Sequence, residues 1–405
     1  MLNLLTNCKE YKAKDSNLDI RESMKVLPSF LQPFLTWLTG KPLKSQKSWN
    51  RKAIYHLIMS LVFLFVGITI SIIALMGSGF WLLFLIPSWI LTVSGARTLQ
   101  SMISHQCAHF NFSGNKNIDR LLGEVISILI TIRDFNLYQQ DHKSNHHPKL
   151  STLEDETVKF LVLVVGLRPG MKKKELWKNL VTTLFSPKFH LLFFIARVCS
   201  TYNSSSTIHN LIAFAFTALV LVIISFYNFG FEFFVAWVFP LTILYQISAC
   251  LRLCSEHLWS EHGVSNKHDK LTRSRLTFGI FLGEKTPNLS LPWFSKANAW
   301  CIWCFRMIFI HLTTRLFVMI GDTPCHDYHH RYPSSKDWPN YIFARQRDLD
   351  AGCPGTFENY REIWGLHNAI DEVFQSISKV PSNDNVNTDN FLDSVYSLST
   401  ISKIC

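Results

Sequence analysis

Three histidine clusters are the residues of this chain best suited to metal chemistry. They read His105-Gln-Cys-Ala-His109, His142-Lys-Ser-Asn-His146-His147 and His326-Asp-Tyr-His329-His330. A further histidine, His257, follows a long apolar run. These nine imidazoles exceed the three or four protein ligands that one zinc ion takes. The clusters therefore predict a site for two metal ions.

Helical spacing would bring the histidines of each cluster onto shared faces. Residues four apart are neighbours on a helix, so His105 and His109 lie side by side, as do His142 and His146. In the third cluster His329 sits three residues after His326, and the adjacent His330 points elsewhere, where it could reach a second metal. Imidazole suits iron, zinc, copper and nickel, so the spacing alone leaves the metal open.

Four acidic residues near the clusters are candidates for orienting the imidazoles. A metal-binding histidine usually donates its other ring N–H to a carboxylate or a carbonyl. Each of these acids could equally be a plain surface residue. The four candidates are Asp141, Glu256, Asp322 and Asp327.

Two pairs of long apolar segments must position the clusters. Each segment approaches or exceeds the roughly 20 residues that a helix needs to cross the hydrocarbon core. A three-residue turn containing glycine joins the members of each pair, which predicts two antiparallel hairpins. The segments are Ala53–Met76 and Phe80–Ser101 for the first pair, and His209–Tyr227 and Phe231–Leu253 for the second.

The charge pattern predicts on which side of the membrane the histidines lie. The net charge is +11, and lysine and arginine are dense before the first span and in the loop between the hairpins, whereas the tight turns have none. The positive-inside rule then places both termini, that loop and all four histidine positions in the cytoplasm. No arginine-rich stripe or zinc-finger spacing favours nucleic acid, so we expect a lipid bilayer as the partner and no nucleic acid.

The fold class predicted is an all-α membrane protein with four transmembrane helices under a cytosolic helical cap. Residues 1–52 form a basic cytosolic segment with an interfacial lead-in, residues 53–381 the membrane domain and cap, and residues 382–405 a mobile tail. The apolar stretch Ala297–Ile320 contains Arg306, His311 and Arg315, which are costly at mid-membrane. We expect it to lie at the cytosolic interface.

The clusters HQCAH, HKSNHH and HDYHH, with the Ser-Glu-His257 sequence after the last span, resemble those of the integral-membrane fatty acid desaturase and hydroxylase superfamily. The resemblance covers roughly Ala53 to Tyr341. It implies a non-haem diiron centre, O2 as co-substrate, and nine iron ligands: His105, His109, His142, His146, His147, His257, His326, His329 and His330.

The function that the resemblance implies is desaturation of a fatty acyl chain. Breaking an unactivated C–H bond needs an oxidant made from O2, which is work for a redox metal cofactor. We expect the electrons to come from a separate protein of the ferredoxin, rubredoxin or cytochrome b5 type. The membrane would be the bacterial inner membrane or the endoplasmic reticulum.

Two alternatives remain open at the level of sequence. A hydroxylase or acetylenase of the same superfamily would use the same site. A non-redox membrane metalloprotein, either a zinc hydrolase or a metal carrier, is more remote, because the histidines cluster beyond the span ends and no HExxH motif occurs. Chain length, the acyl carrier (lipid, CoA or carrier protein), the bond position and the oligomeric state are not determined.

Overall fold

The computed structural model describes residues 19–77, 79–261, 268–356 and 359–381. Of these described residues, 70% lie in helices and very few in strands, as the predicted fold class requires. The first 18 residues and the predicted tail, 382–405, lie outside the described residues.

Helices follow one another along nearly the whole described chain. The α-helices are Ile20–Ser23, Gln32–Thr39, Ala53–Gly77, Leu85–Thr98, His105–Ala108, Lys116–Leu129, Phe135–Asp141, Glu156–Phe160, Lys173–Leu184, Pro187–Tyr202, Thr207–Tyr227, Gly230–Phe233, Tyr245–Leu253, Lys270–Arg275, Trp293–Arg306, Thr313–Phe317, His326–Arg331, Tyr341–Asp350 and Leu366–Lys379. The 3-10 helices are Met24–Val26, Ser29–Leu31, Gly79–Phe84, Thr323–Cys325 and Trp338–Asn340. The π-helical stretches are Leu99–Ser104, His142–His146, Leu161–Val165, Phe234–Val238, Pro240–Leu244 and Met307–Leu312.

Four helices in the described chain are long and apolar enough to cross a membrane, which confirms the predicted number. We call them span 1 (Ala53–Gly77), span 2 (Gly79–Ala108), span 3 (Thr207–Tyr227) and span 4 (Gly230–Leu253). Span 2 continues seven residues beyond the predicted end at Ser101, because a π-helical stretch carries the helix onward. The helices Lys173–Leu184 and Pro187–Tyr202 meet at an angle of 67°, and they would form a fifth candidate only if together they made one broken span.

The apolar stretch around Ala297–Ile320 is not among these four candidates. It forms the helix Trp293–Arg306, which continues through Met307–Leu312 and Thr313–Phe317. Within this helix, Arg306 pairs with Glu284 at 2.8 Å. All the exposed side chains between residues 293 and 310 are uncharged, and most of the large ones are aromatic or aliphatic.

Spans 1 and 2 pack closely because small residues lie between them. A Cβ atom on Gly67 would lie 2.5 Å from the backbone nitrogen of Thr92, and one on Gly95 would lie 2.5 Å from the carbonyl oxygen of Ser60. Ser71 and Ser88 share a hydrogen bond of 2.7 Å between their buried hydroxyls. The backbones of the two spans therefore approach each other at distances that larger side chains would prevent.

The part of the chain outside the spans has its own apolar core. The helix Leu366–Lys379 buries one face against the helix Lys173–Leu184 and residues that follow span 4. A parallel pair of three-residue strands, Gly279–Phe281 and Glu362–Trp364, is the exception to the all-α prediction in the described chain. These elements form the support for the third histidine cluster.

Candidate metal centre

The first histidine cluster lies on the end of span 2. The helical turn His105–Ala108 follows the π-helical stretch Leu99–Ser104, and His109 ends the helix. The ring centroids of His105 and His109 are 5.2 Å apart, so the two imidazoles lie side by side as their spacing predicts. His105 belongs to the continued span rather than to a segment just past it.

The second cluster adopts a π-helical turn instead of the α-helix that the spacing predicted. The backbone N–H of His147 donates to the carbonyl oxygen of His142 at 3.2 Å, a connection of five residues. This brings His147 next to His142, with their Nε2 atoms 2.9 Å apart. The rings of His142 and His146 still stack at 5.3 Å, but their metal-facing nitrogens belong to different groups.

The third cluster occupies the short helix His326–Arg331. His326 and His330 place their Nε2 atoms 3.2 Å apart, and His329 turns toward His147, also at 3.2 Å between Nε2 atoms. The sequence spacing predicted instead that His329 would lie beside His326 and that His330 would face the other metal. The i, i+4 relation of His326 and His330 prevails because both side chains then face His257.

All nine predicted histidines come together in two adjacent groups. Within each group one ring nitrogen per residue lies within 4.8 Å of the others. The groups touch, since the rings of His147 and His330 are 4.9 Å apart. The first group is His105, His109, His142, His147 and His329, and the second is His146, His257, His326 and His330.

Hydrogen bonding cannot account for the first group. The Nε2 atoms of His109, His142 and His147 form a triangle with sides of 2.9, 2.9 and 3.1 Å. Each nitrogen either carries a proton or offers a lone pair, so at most two of the three contacts can be hydrogen bonds. Adjacent octahedral ligands at about 2.1 Å from a metal lie about 3.0 Å apart, which matches this triangle.

Several ring nitrogens of the groups also lack a hydrogen-bond partner within the described chain. They are Nε2 of His105 and both nitrogens of His257, one of which can face a metal, and all are buried. Buried polar atoms without a partner are costly, whereas nitrogens that bind a metal are satisfied. The donor set and its geometry therefore fit a pair of metal ions.

The surroundings keep most of these imidazoles neutral. Burial lowers the pKa of His109 to about 4 and holds that of His142, His147 and His329 well below the ordinary value, with the neighbouring histidines contributing in the same direction. Neutral imidazole is the form that binds a metal. The site is thus prepared to accept cations at physiological pH.

His146 differs from the other histidines because a carboxylate faces it. Nδ1 of His146 lies 3.1 Å from both oxygens of Asp155, which is buried. Burial alone would lower the pKa of His146, but the charge and hydrogen bond of Asp155 raise it above the ordinary value. This carboxylate fixes the tautomer that leaves Nε2 free for a metal.

Sequence reasoning missed Asp155. It lies in an acidic run, Glu154-Asp-Glu156, and nothing in the run distinguishes the middle residue. Asp155 also caps the helix Glu156–Phe160 by accepting from the backbone N–H of Thr157. A carboxylate at a helix N-cap close after a histidine cluster is the signal that could have pointed to it.

The four predicted acids lie elsewhere. Within the described chain none of them is hydrogen-bonded to a cluster histidine. Asp141 pairs with Arg133, Glu256 with Arg252, and Asp327 with Arg345 at 2.9 Å.

Asp322 is the fourth of these acids, and it is buried. Its Oδ1 has no hydrogen-bond partner among the described residues, and burial raises its pKa to about 6. The buried ion pair between Asp327 and Arg345 anchors the helix His326–Arg331. Asp327 therefore holds the helix that carries the third cluster, and it does not bind the imidazole rings.

The comparison with protein families gives one clear match. The sequence model of the family described as fatty acid desaturase matches residues 80–364, a segment that contains all nine histidines. No curated protein matches the chain significantly.

Proposed function

The chain belongs to the fatty acid desaturase family, and on that premise we propose that it introduces a double bond into a fatty acyl chain. The observation that carries the proposal is the pair of adjacent imidazole groups, one of five and one of four histidines. Two iron ions bound there would activate O2 for removal of hydrogen from unactivated carbons. An all-imidazole donor set suits iron, and zinc has no redox chemistry with which to do this work.

Each group of histidines would hold one iron. His105, His109, His142, His147 and His329 would bind the first, and His146, His257, His326 and His330 the second. Asp155 would hold the ring of His146 in place through Nδ1. Burial of His105, His257 and His329, each less than 9% exposed, keeps bulk water from the reacting atoms.

The overall reaction requires an electron donor. Removal of two hydrogens from neighbouring carbons, with O2, two electrons and two protons, gives a double bond and two water molecules. We propose that a separate ferredoxin, rubredoxin or cytochrome b5 type protein supplies the electrons. The net charge of +11 favours an acidic donor through electrostatic steering.

We also propose that the spans form two hairpins with the metal centre on the cytoplasmic side. The close contacts of Gly67 with Thr92 and of Gly95 with Leu64 support an antiparallel first pair. The abundance of lysine and arginine before span 1 and between spans 2 and 3 supports the orientation. The uncharged exposed face of Trp293–Arg306 would then rest in the cytoplasmic leaflet.

Metal analysis of the purified protein tests the proposal first. We expect two irons per chain in detergent-solubilised protein, and fewer in a His146→Ala variant. His367→Ala is the matched control, because His367 is exposed, stacks on Trp177 and belongs to neither group of histidines. Zinc in place of iron, or no tightly bound metal after anaerobic handling, would contradict the diiron centre.

Mass spectrometry of the acyl chains tests the reaction. Cells that express the protein with a compatible donor should accumulate chains that have lost two hydrogen atoms, and the His146→Ala variant should not produce them. Chains that have gained one oxygen atom instead would replace desaturation with hydroxylation at the same site.

A further inference from the structure

A second set of metal-type side chains lies away from the nine histidines. Glu124, Asp134 and His209 each offer one atom, and these atoms lie within 4.8 Å of one another. They come from the helix Lys116–Leu129, from the segment before Phe135–Asp141, and from the first turn of span 3. Asp134 is 0% exposed and His209 is 4% exposed.

The contacts of His209 fix its tautomer. Nε2 of His209 lies 3.0 Å from the carbonyl oxygen of Thr201, which can only accept, so this nitrogen carries the proton. Nδ1 faces the carboxylate of Glu124. A histidine that donates one ring N–H to a backbone carbonyl and turns the other nitrogen toward carboxylates has the usual arrangement of a metal ligand.

The two carboxylates are held with one oxygen each directed inward. Nδ2 of Asn136 donates to Oε1 of Glu124 at 2.6 Å, which leaves Oε2 on the side of His209. Oδ1 of Asp134 accepts from the backbone N–H of Leu137 at 2.8 Å as a helix cap. Oδ2 of Asp134 is buried and has no hydrogen-bond partner among the described residues. An unpaired buried carboxylate oxygen carries a large desolvation cost.

The charges of the three groups indicate that a cation would complete the cluster. With a neutral His209 the cluster carries two negative charges, and a second proton on Nδ1 would remove only one of them. That proton would satisfy Glu124 and still leave Oδ2 of Asp134 without a partner. A divalent cation balances both charges and engages all three inward atoms.

We propose that Glu124, Asp134 and His209 bind a divalent cation of the zinc type. The ligands are Oε2 of Glu124, Oδ2 of Asp134 and Nδ1 of His209. One imidazole with two carboxylates is a donor set that zinc accepts, and it differs from the all-imidazole set of the main centre. The bound ion would tie the helix Lys116–Leu129 to the start of span 3, independently of the enzyme reaction.

Zinc titration of the iron-loaded, full-length protein tests this site. Zinc and iron are counted together by mass spectrometry after desalting, in wild type, Asp134→Asn and Glu124→Gln. Asparagine at position 134 keeps the helix cap, because its amide oxygen caps as well as a carboxylate does. Asp337→Asn is the control, since Asp337 is exposed in an ion pair with Arg347.

We expect wild type and the control to retain one zinc more than either cluster variant, at unchanged iron content. Wild type that binds no zinc, or equal zinc in all four proteins, would overturn the proposal. If the variants fail to fold, X-ray absorption at the zinc edge of the wild-type protein identifies the ligands of the bound zinc. A shell with a single imidazole and oxygen ligands supports the site, and an all-imidazole shell refutes it. The iron count reports separately on the proposed function.

Discussion

At the scale of single residues, a buried carboxylate distinguishes one imidazole of the centre from the other eight. Asp155 is the only carboxylate in the described chain that contacts one of the nine histidines by a hydrogen bond. It accepts from Nδ1 of His146 and so leaves Nε2 of that residue unprotonated toward the second group. The orientation of His146 thus depends on a residue outside the histidine clusters.

Replacement of this carboxylate should weaken the metal site. We expect Asp155→Asn to lower metal retention or activity by about 10- to 100-fold, because the neutral amide removes the negative charge that holds the N–H of His146 and replaces one of the two acceptor oxygens with a donor. Iron content and turnover measure the effect. Glu156→Gln is the matched control, since Glu156 pairs only with Lys159 on the surface. Unchanged iron retention in Asp155→Asn would contradict the positioning role.

Asp322 gives a prediction about pH. Burial raises its pKa from 3.8 in the unfolded chain to about 6 in the folded protein. The folded state therefore binds the proton more tightly, so the stability that this residue contributes is full below pH 3.8 and is lost as the pH rises through 6. Above pH 6 the buried charge costs on the order of 2–3 kcal/mol.

The variant Asp322→Asn removes that charge. We expect it to melt at a higher temperature than wild type at pH 8 and at the same temperature near pH 4, as measured by thermal unfolding in detergent. A difference in melting temperature that is the same at pH 4 and pH 8 would contradict a pKa near 6 for Asp322 in the folded protein.

At the scale of the elements, close approach of spans 1 and 2 depends on residues without large side chains. Gly95 faces the backbone of span 1, where an added Cβ would lie 2.5 Å from the carbonyl oxygen of Ser60 and 2.7 Å from Cα of Leu64. Backbone atoms cannot rotate away as a flexible side chain can. The position of span 2, and with it that of His105, therefore depends on this contact.

We expect Gly95→Ala to destabilise the protein by about 1–3 kcal/mol, because the two backbones must separate. Melting temperature and iron content should both fall. Gly230→Ala is the control, since an added Cβ there meets nothing within 4 Å. Equal melting of Gly95→Ala and wild type would show that the spans tolerate the larger separation.

At the scale of the whole molecule, the candidate metal centre joins segments that are distant in sequence. The nine histidines come from the end of span 2 and the residue after it, from the π-helical turn His142–His146 and the residue after it, from a position four residues past span 4, and from the helix His326–Arg331. Without metal, the neutral imidazoles among them bring lone pairs together and leave buried nitrogens without partners in the described chain. Bound metal should therefore contribute to the stability of the entire fold.

Removal of the metal tests this dependence. A metal present at a thousand times its Kd stabilises a protein by about 4 kcal/mol, which corresponds to roughly 5–10 °C in Tm. We expect chelation to lower the Tm of the detergent-solubilised protein by that amount, and iron addition to restore it. An unchanged Tm after verified removal of metal would show that protein contacts alone hold the histidines together.

The sequence by itself determined the composition of this molecule and the types of its elements. Long uncharged runs of aliphatic and aromatic residues predict spans, because hydrocarbon excludes charge and open backbone. Three of the four spans found have ends within three residues of the prediction, and span 2 is longer. Nine histidines in clusters at helical spacing predicted a site for two metals. The match to the fatty acid desaturase family agrees with the resemblance from which the function of the protein was inferred.

Only the tertiary structure decided which histidines share a group. Local spacing pairs His142 with His146 and His326 with His329, whereas the fold pairs His142 with His147 and His326 with His330. A π-helical turn changes the face that a residue occupies, and no periodicity of 3.6 reveals such a turn.

The carboxylate of Asp155 was likewise beyond local reasoning. Its place opposite His146 depends on how the backbone folds between residues 147 and 155. Sequence spacing specifies neighbours within one regular element, but contacts between separate elements depend on how those elements pack.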